Sequence, residues 1–148
     1  MSEPLSAPRI FRYPDIPVGM KQERDYAITP EVREHFLRAF HDHSPLHVDS
    51  AYAKACGYPD CVMHGSVLNG FLSHFVGMYF PGRLSLLLAV DLRFAQPSFL
   101  GDLIRLEAVV SQKLDARRVI MLDVSFQNVT RNCLAARGRV QVLLREES

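Results

Sequence analysis

The 148-residue sequence is short of the features that would set it apart from ordinary globular proteins. It has almost no net charge, +1, and its Lys and Arg are scattered rather than clustered. It therefore offers no field for nucleic acid or an anionic membrane surface. Its three cysteines (Cys56, Cys61, Cys133) are an odd number without disulfide-rich spacing, which points to reduced thiols in a cytoplasmic protein. No apolar run is long enough to span a bilayer, and the start, "MSEPLSAPRIFRYPDIP", lacks the charged-then-apolar order of a signal peptide. There are no internal repeats. What remains is 48% hydrophobic and 22% charged, a balance suited to one domain with a single buried core.

Residues 1–18 carry four prolines and no sustained period, and are expected to wrap the surface as an extended arm, leaving 19–148 as the domain. "QERDYAI" (22–28) is a candidate strand. "TPEVREHFLRAF" follows with good helix-entry chemistry: Thr29 can cap, Pro30 suits the first helical position, and Glu31 complements the positive helix end. Val32, Phe36, Leu37 and Phe40 recur at helical spacing up to about His41. Pro45 pushes Ser44 out of helical geometry, so the chain is expected to run extended there. A short helix over Ser50–Cys56, capped by Asp49, should stop at Gly57.

The segment "HGSVLNGFLSHFVGMYFPG" has about four turns of helical pattern. Leu68, Leu72, Phe75 and Tyr79 form a bulky stripe, and Ser66, Gly70, Ser73 and Gly77 a stripe of small residues. Two mid-helix glycines each cost close to ~1 kcal/mol relative to alanine. Their presence implies close approach of a backbone or ligand, and a largely buried helix. The period then changes to two: 84–94, 102–112, 118–128 and 133–144 read as strands. No crossover helices separate them, so they should be mostly antiparallel. The expected fold is α+β, a curved antiparallel sheet around one long central helix.

The densest chemistry is "HDHSPLHVD" (41–49), with three histidines and two aspartates. With Cys56, Cys61 and His64 it suggests a metal cage. However, structural zinc sites pair tight cysteine knuckles, and no second knuckle exists here, so no metal is expected. Asp42 and His47, on a loop stiffened by Pro45, can reach one water molecule as an acid–base pair. On residue types alone the simpler reading is a solvated loop in which they satisfy backbone groups, with the acid–base pair as the alternative.

"FHDHSPLHVDSAYA" resembles the hydratase motif of the MaoC-like, (R)-specific enoyl-CoA hydratase family of hotdog-fold proteins, with Asp42, Pro45, Leu46, His47, Asp49 and Ala53 at matching places. His64-Gly65, Ser73, "PGRLSLL" and "LRFAQPSFLGD" (92–102) resemble later family segments, so the likeness spans about 29–144. Two positions depart: His41 stands where a glycine is usual, and Ser44 where an asparagine supports the loop. The resemblance implies a hotdog domain, paired edge to edge as a homodimer or dimer of dimers, that adds water across an enoyl thioester of coenzyme A or an acyl carrier. No metal or redox cofactor is implied. By the same resemblance Asp42 and His47 activate the water, the Gly65 N–H polarises the carbonyl and Ser73 orients His47, with Ser44, His64 and Ser66 beside the substrate. Rival expectations are an acyl-thioester hydrolase on the same fold and a non-catalytic acyl-thioester binding module.

Other residues carry simpler expectations. His64 suits a cap or loop anchor, and Cys56 and Cys61 small buried hydrophobes. His35 and His74 lie within helices without chemistry, and Arg83, Arg93 and Arg105 are solvated surface cations, although any of them can meet a coenzyme A phosphate.

Overall fold

The structure is a computed structural model that describes residues 6–147. Five strands, β1 (Lys21–Ala27), β2 (Ser85–Phe94), β3 (Leu103–Leu114), β4 (Val119–Asn128) and β5 (Cys133–Leu144), form one sheet in the order β1-β3-β4-β5-β2. Every pairing is antiparallel. The two-residue alternation read from the sequence sets the inner face: Ile104, Leu106, Ala108 and Val110 of β3, with Ile120, Leu122, Val124 and Phe126 of β4, are buried. Gly138 of β5 sits where a Cβ would lie 1.8 Å from the Asp91 carbonyl oxygen, so only glycine lets β2 pair so closely there.

The described residues also form four α-helices: α1 (Pro30–Phe40), α2 (Pro45–Val48), α3 (Ser50–Ala55) and α4 (Ser66–His74). Thr29 caps α1 by accepting from Val32 N–H (3.1 Å), and Asp49 caps α3 by accepting from Tyr52 N–H (3.1 Å), as their positions imply. α2 corrects the expected extended course. Ser44 is indeed non-helical, but Pro45 then opens a helical turn, the position where proline's fixed φ and missing N–H are best tolerated.

α4 lies across the concave face, burying Leu68 and Leu72, and continues through a π-helical turn, Phe75–Tyr79, that buries Phe75. Burying each such side chain is worth about 1.5–3 kcal/mol. The helix is only half covered, which corrects the expectation of a largely buried one. Ser66, Gly70 and Ser73 face outward, and a Cβ added at Gly70 or Gly77 would meet nothing within 4 Å. Nothing in the described chain fills the small-residue stripe.

The arm is less peripheral than its prolines imply. Arg9 N–H donates to the Met78 carbonyl (2.9 Å) and Phe11 N–H to the Pro81 carbonyl (3.1 Å), while Tyr13 and Ile16 are buried in the core. The first five residues of the expected arm lie outside the described residues. Two further expectations are corrected: Cys56, at the end of α3, which turns only Ala53 inward, is exposed, and Cys61 in the following loop is half-buried. No helix of the described residues is long and apolar enough to cross a membrane.

Candidate active site

The site assembles where α1, α2 and the N-terminus of α4 converge. α1 ends with His41 in left-handed geometry (φ 55°), a conformation asparagine, aspartate and histidine tolerate better than most residues. This reversal explains how a histidine stands where a glycine is usual. It aims Asp42 back towards α4, and Asp42 is about half exposed. The Ser44 N–H donates to Asp42 Oδ1 (3.2 Å), so serine supports the loop through its backbone and not its side chain.

His47 sits on α2, one turn further along. Its Nδ1 lies 2.7 Å from the Val62 carbonyl oxygen. A carbonyl can only accept, so Nδ1 carries the hydrogen and the neutral ring keeps its lone pair on Nε2. That Nε2 stands 4.0 Å from Asp42 Oδ2. The gap is too wide for a direct hydrogen bond. Two acceptors so spaced suit one water that donates a hydrogen to each, leaving its oxygen lone pairs free. The Arg33 guanidinium donates to the His47 carbonyl (3.0 Å), and Val62 N–H donates to the Leu46 carbonyl (3.0 Å), fixing α2 against the body. Neither Arg33 nor Val62 could be singled out from the sequence, because each acts through main chain many residues away.

His64 is the third member. It is 4% exposed, and burial pushes its pKa below the usual histidine range. Its Nε2 lies 2.9 Å from the Asp42 carbonyl oxygen and 3.9 Å from Asp42 Oδ2, and its ring stacks on His47 with centroids 4.1 Å apart. Asp42, His47 and His64 are the group that stands close enough to hold a cation among the described residues. Their chemistry argues against one: His64 Nε2 must carry the hydrogen it gives to the Asp42 carbonyl, and cannot ligate in that state. Of the other residues considered for a metal cage, none joins this group.

Gly65 precedes the first turn of α4, and its N–H finds no acceptor among the described residues. Unpaired N–H groups and the positive helix end suit a developing oxyanion. A Cβ at Gly65 would come 3.2 Å from the Phe94 ring, so glycine also permits the close packing of β2's last residue. Gly65, His47 and His64 line one cavity of about 240 Å³, walled by Phe94, Pro97 and Ser98. Asp42 and Ser66 belong to an open apolar groove between α1 and α4, with Phe36, Phe40 and Phe71 along it. The catalytic candidates thus sit between two concavities.

Ser73 does not join them. It is exposed on α4, and the contact that orients His47 Nδ1 is made by the Val62 carbonyl. Helical spacing places Ser73 more than two turns beyond Gly65 along α4. Asp49 acts only as the α3 cap, and His74 lies 2.9 Å (Nδ1) from the Tyr26 hydroxyl, away from this site. Arg105 is held by Asp25 through two bonds of 2.8 and 3.0 Å on the sheet surface.

A family model described as MaoC like domain matches residues 15–131. The chain belongs to that MaoC-like family. It is 33% identical over 76 residues to an (R)-specific enoyl-CoA hydratase of Aeromonas caviae, covering 51% of this chain and 57% of that protein. It is 30% identical over 83 residues to a mitochondrial 3-hydroxyacyl-[acyl-carrier-protein] dehydratase of Solanum lycopersicum, covering 56% and 48%. The chain therefore spans about half the length of these curated relatives. An unliganded R-hydratase of Pseudomonas aeruginosa has the same fold, with TM-score 0.87 and 25% identity over 96% of this chain and 90% of that one. The hotdog plan expected from the sequence is thus the plan observed.

Proposed function

We propose that this protein reversibly hydrates trans-2-enoyl thioesters to (R)-3-hydroxyacyl thioesters. The observation that carries the reading is the 4.0 Å gap between Asp42 Oδ2 and His47 Nε2. Two acceptors there hold a water by both of its hydrogens and turn its lone pair outward. The Gly65 N–H takes the thioester carbonyl oxygen, drawing electron density from the double bond. The water oxygen bonds to C3 as one of the pair accepts its proton, and a proton returned from the pair reaches C2. The net change is one H to C2 and one OH to C3. Neither a metal nor a redox group enters the reaction. The relatives named for the same hydration or its reverse support this reading.

The carrier is coenzyme A or an acyl carrier protein, and the working unit a homodimer. Strand β2 supports the latter: it is a sheet edge, and it exposes Leu86, Leu88, Val90 and Phe94, an apolar strip unusual for an unpaired edge. A cytoplasmic location accords with three free cysteines. The test is incubation with crotonyl-CoA while following both enoyl absorbance and free thiol. Loss of absorbance without thiol is the expected result. Thiol release without hydration identifies a thioester hydrolase, and binding with neither signal identifies a binding module; either overturns the proposal.

A further inference from the structure

We infer that His64 is a positioning residue, whose Nε2–H fixes the Asp42 main chain and whose ring face fixes the His47 imidazole. The inference rests on the hydration reading for its effect on turnover, but its geometry stands apart from it. Among the described residues, the 2.9 Å bond from His64 is the only hydrogen bond that ties Asp42 to a residue outside its own loop. Without it, an exposed carboxylate beside a left-handed turn is held only by the Ser44 N–H of its own loop. The ring of His64 is held between His47 (centroids 4.1 Å, 29° between planes) and Phe36 (4.5 Å, 33°), so α1 and α2 are both indexed to one buried imidazole.

The same geometry makes His64 unsuited to chemistry of its own. Its Nε2 is engaged with the Asp42 carbonyl, and its Nδ1 is buried with no hydrogen-bond partner. A proton on Nδ1 would lack an acceptor and would face His47 and Arg33, with Asp42 alone as a compensating charge. Burial opposes that proton most; the bond to the Asp42 carbonyl favours it, and the Arg33 guanidinium adds to the opposition. An unsatisfied buried nitrogen is retained where a fixed arrangement offsets its cost. Here the arrangement is the water-wide gap.

Two substitutions separate the roles. His64→Phe keeps a ring against His47 and Phe36 but removes the donor; His64→Gln restores a donor at the place of Nε2. Displacement of a catalytic group by about 1 Å costs up to ~100-fold, so His64→Phe should lower kcat for crotonyl-CoA by about 10- to 100-fold with KM little changed, and His64→Gln should recover most of it. A full wild-type kcat in His64→Phe, a loss confined to KM, or a His64→Gln variant as slow as His64→Phe would each overturn the inference. Nitrogen-15 spectra of the imidazole groups supply a readout independent of turnover. They should show His64 as the neutral Nε2–H tautomer, protonating only below the ordinary histidine range. A His64 that carries its hydrogen on Nδ1, or titrates at or above the ordinary histidine value, overturns it even in a protein that hydrates crotonyl-CoA. If the spectra and tautomer are as stated while no enoyl thioester is hydrated, the positioning role stands and the hydration reading falls.

Discussion

Replacing Asp42 by asparagine is the most informative single change to this site. The Ser44 N–H donates to Oδ1 at 3.2 Å, and asparagine can keep that bond only by turning its carbonyl oxygen to the same place. Its amide nitrogen then occupies the Oδ2 position, 4.0 Å from His47 Nε2 and 3.9 Å from His64 Nε2. A donor now stands where an acceptor stood. The water can no longer give a hydrogen to each side, and one of the two groups that can take its proton is gone. General acid–base groups contribute typically 10²–10⁴-fold, so kcat should fall by about that factor, or roughly 2.7–5.4 kcal/mol of barrier. Because the side chain is about half exposed and the shape is unchanged, stability should move by less than about 0.5 kcal/mol. Loss of enoyl absorbance with crotonyl-CoA gives the rate, and urea unfolding the stability. An Asp42→Asn variant that keeps more than about a third of the wild-type rate would refute the paired-acceptor mechanism.

Four further outcomes follow from particular contacts. Gly65→Ala puts a Cβ 3.2 Å from the Phe94 ring, which must give by a few tenths of an ångström; stability should fall by about 1 kcal/mol, while turnover drops about 10-fold as the oxyanion donor shifts. Asp102 is buried and accepts from Phe99 N–H (2.9 Å), Asn128 Nδ2 (2.8 Å) and Arg131 Nε (2.8 Å), so Asp102→Ala should cost about 3 kcal/mol in urea unfolding. The lowered pKa of His64 means the unfolded chain binds that proton more readily. Its contribution to stability is therefore present above about pH 6.5 and is lost as pH falls through the folded value, and the denaturation midpoint of His64→Phe should show a weaker acid dependence than wild type. If β2 pairs the proposed homodimer, the wild type should sediment as a dimer and Leu88→Lys, on that exposed edge, as a monomer with unchanged far-ultraviolet dichroism.

Features that depend on neighbouring residues could be read from the sequence, and those that depend on distant ones could not. Thr29 and Asp49 act on N–H groups three residues away, so their capping is written in the local order of residues. The strand faces of β4 follow from alternation alone. The nearness of Asp42 and His47 follows from their five-residue separation across a proline, but only the resemblance to the hydratase motif picked them out as a pair. The tie from His64 to Asp42 spans 22 residues, and that from His47 to Val62 spans 15, with a main-chain carbonyl as the partner in each; no side-chain pattern marks a carbonyl. α2 had a signal, Pro45 at a first helical position, that was outweighed by proline's effect on Ser44. The small stripe of α4 shows the limit of inference from glycine. Its absent side chains imply a close neighbour, yet within the described chain Gly70 and Gly77 meet none. Ser73 followed the same stripe outward and away from His47.

On the proposed mechanism one water is held between Asp42 Oδ2 and His47 Nε2 and adds to C3 of an enoyl thioester. Hydration of crotonyl-CoA in water labelled with oxygen-18, with the product resolved on a chiral column, tests it most directly. The expected product is a single 3-hydroxybutyryl enantiomer, (R), carrying the label at C3, formed by the wild type and at least about 100-fold more slowly by Asp42→Asn. A product formed equally well by Asp42→Asn, or a label found only in a released carboxylate, would contradict it.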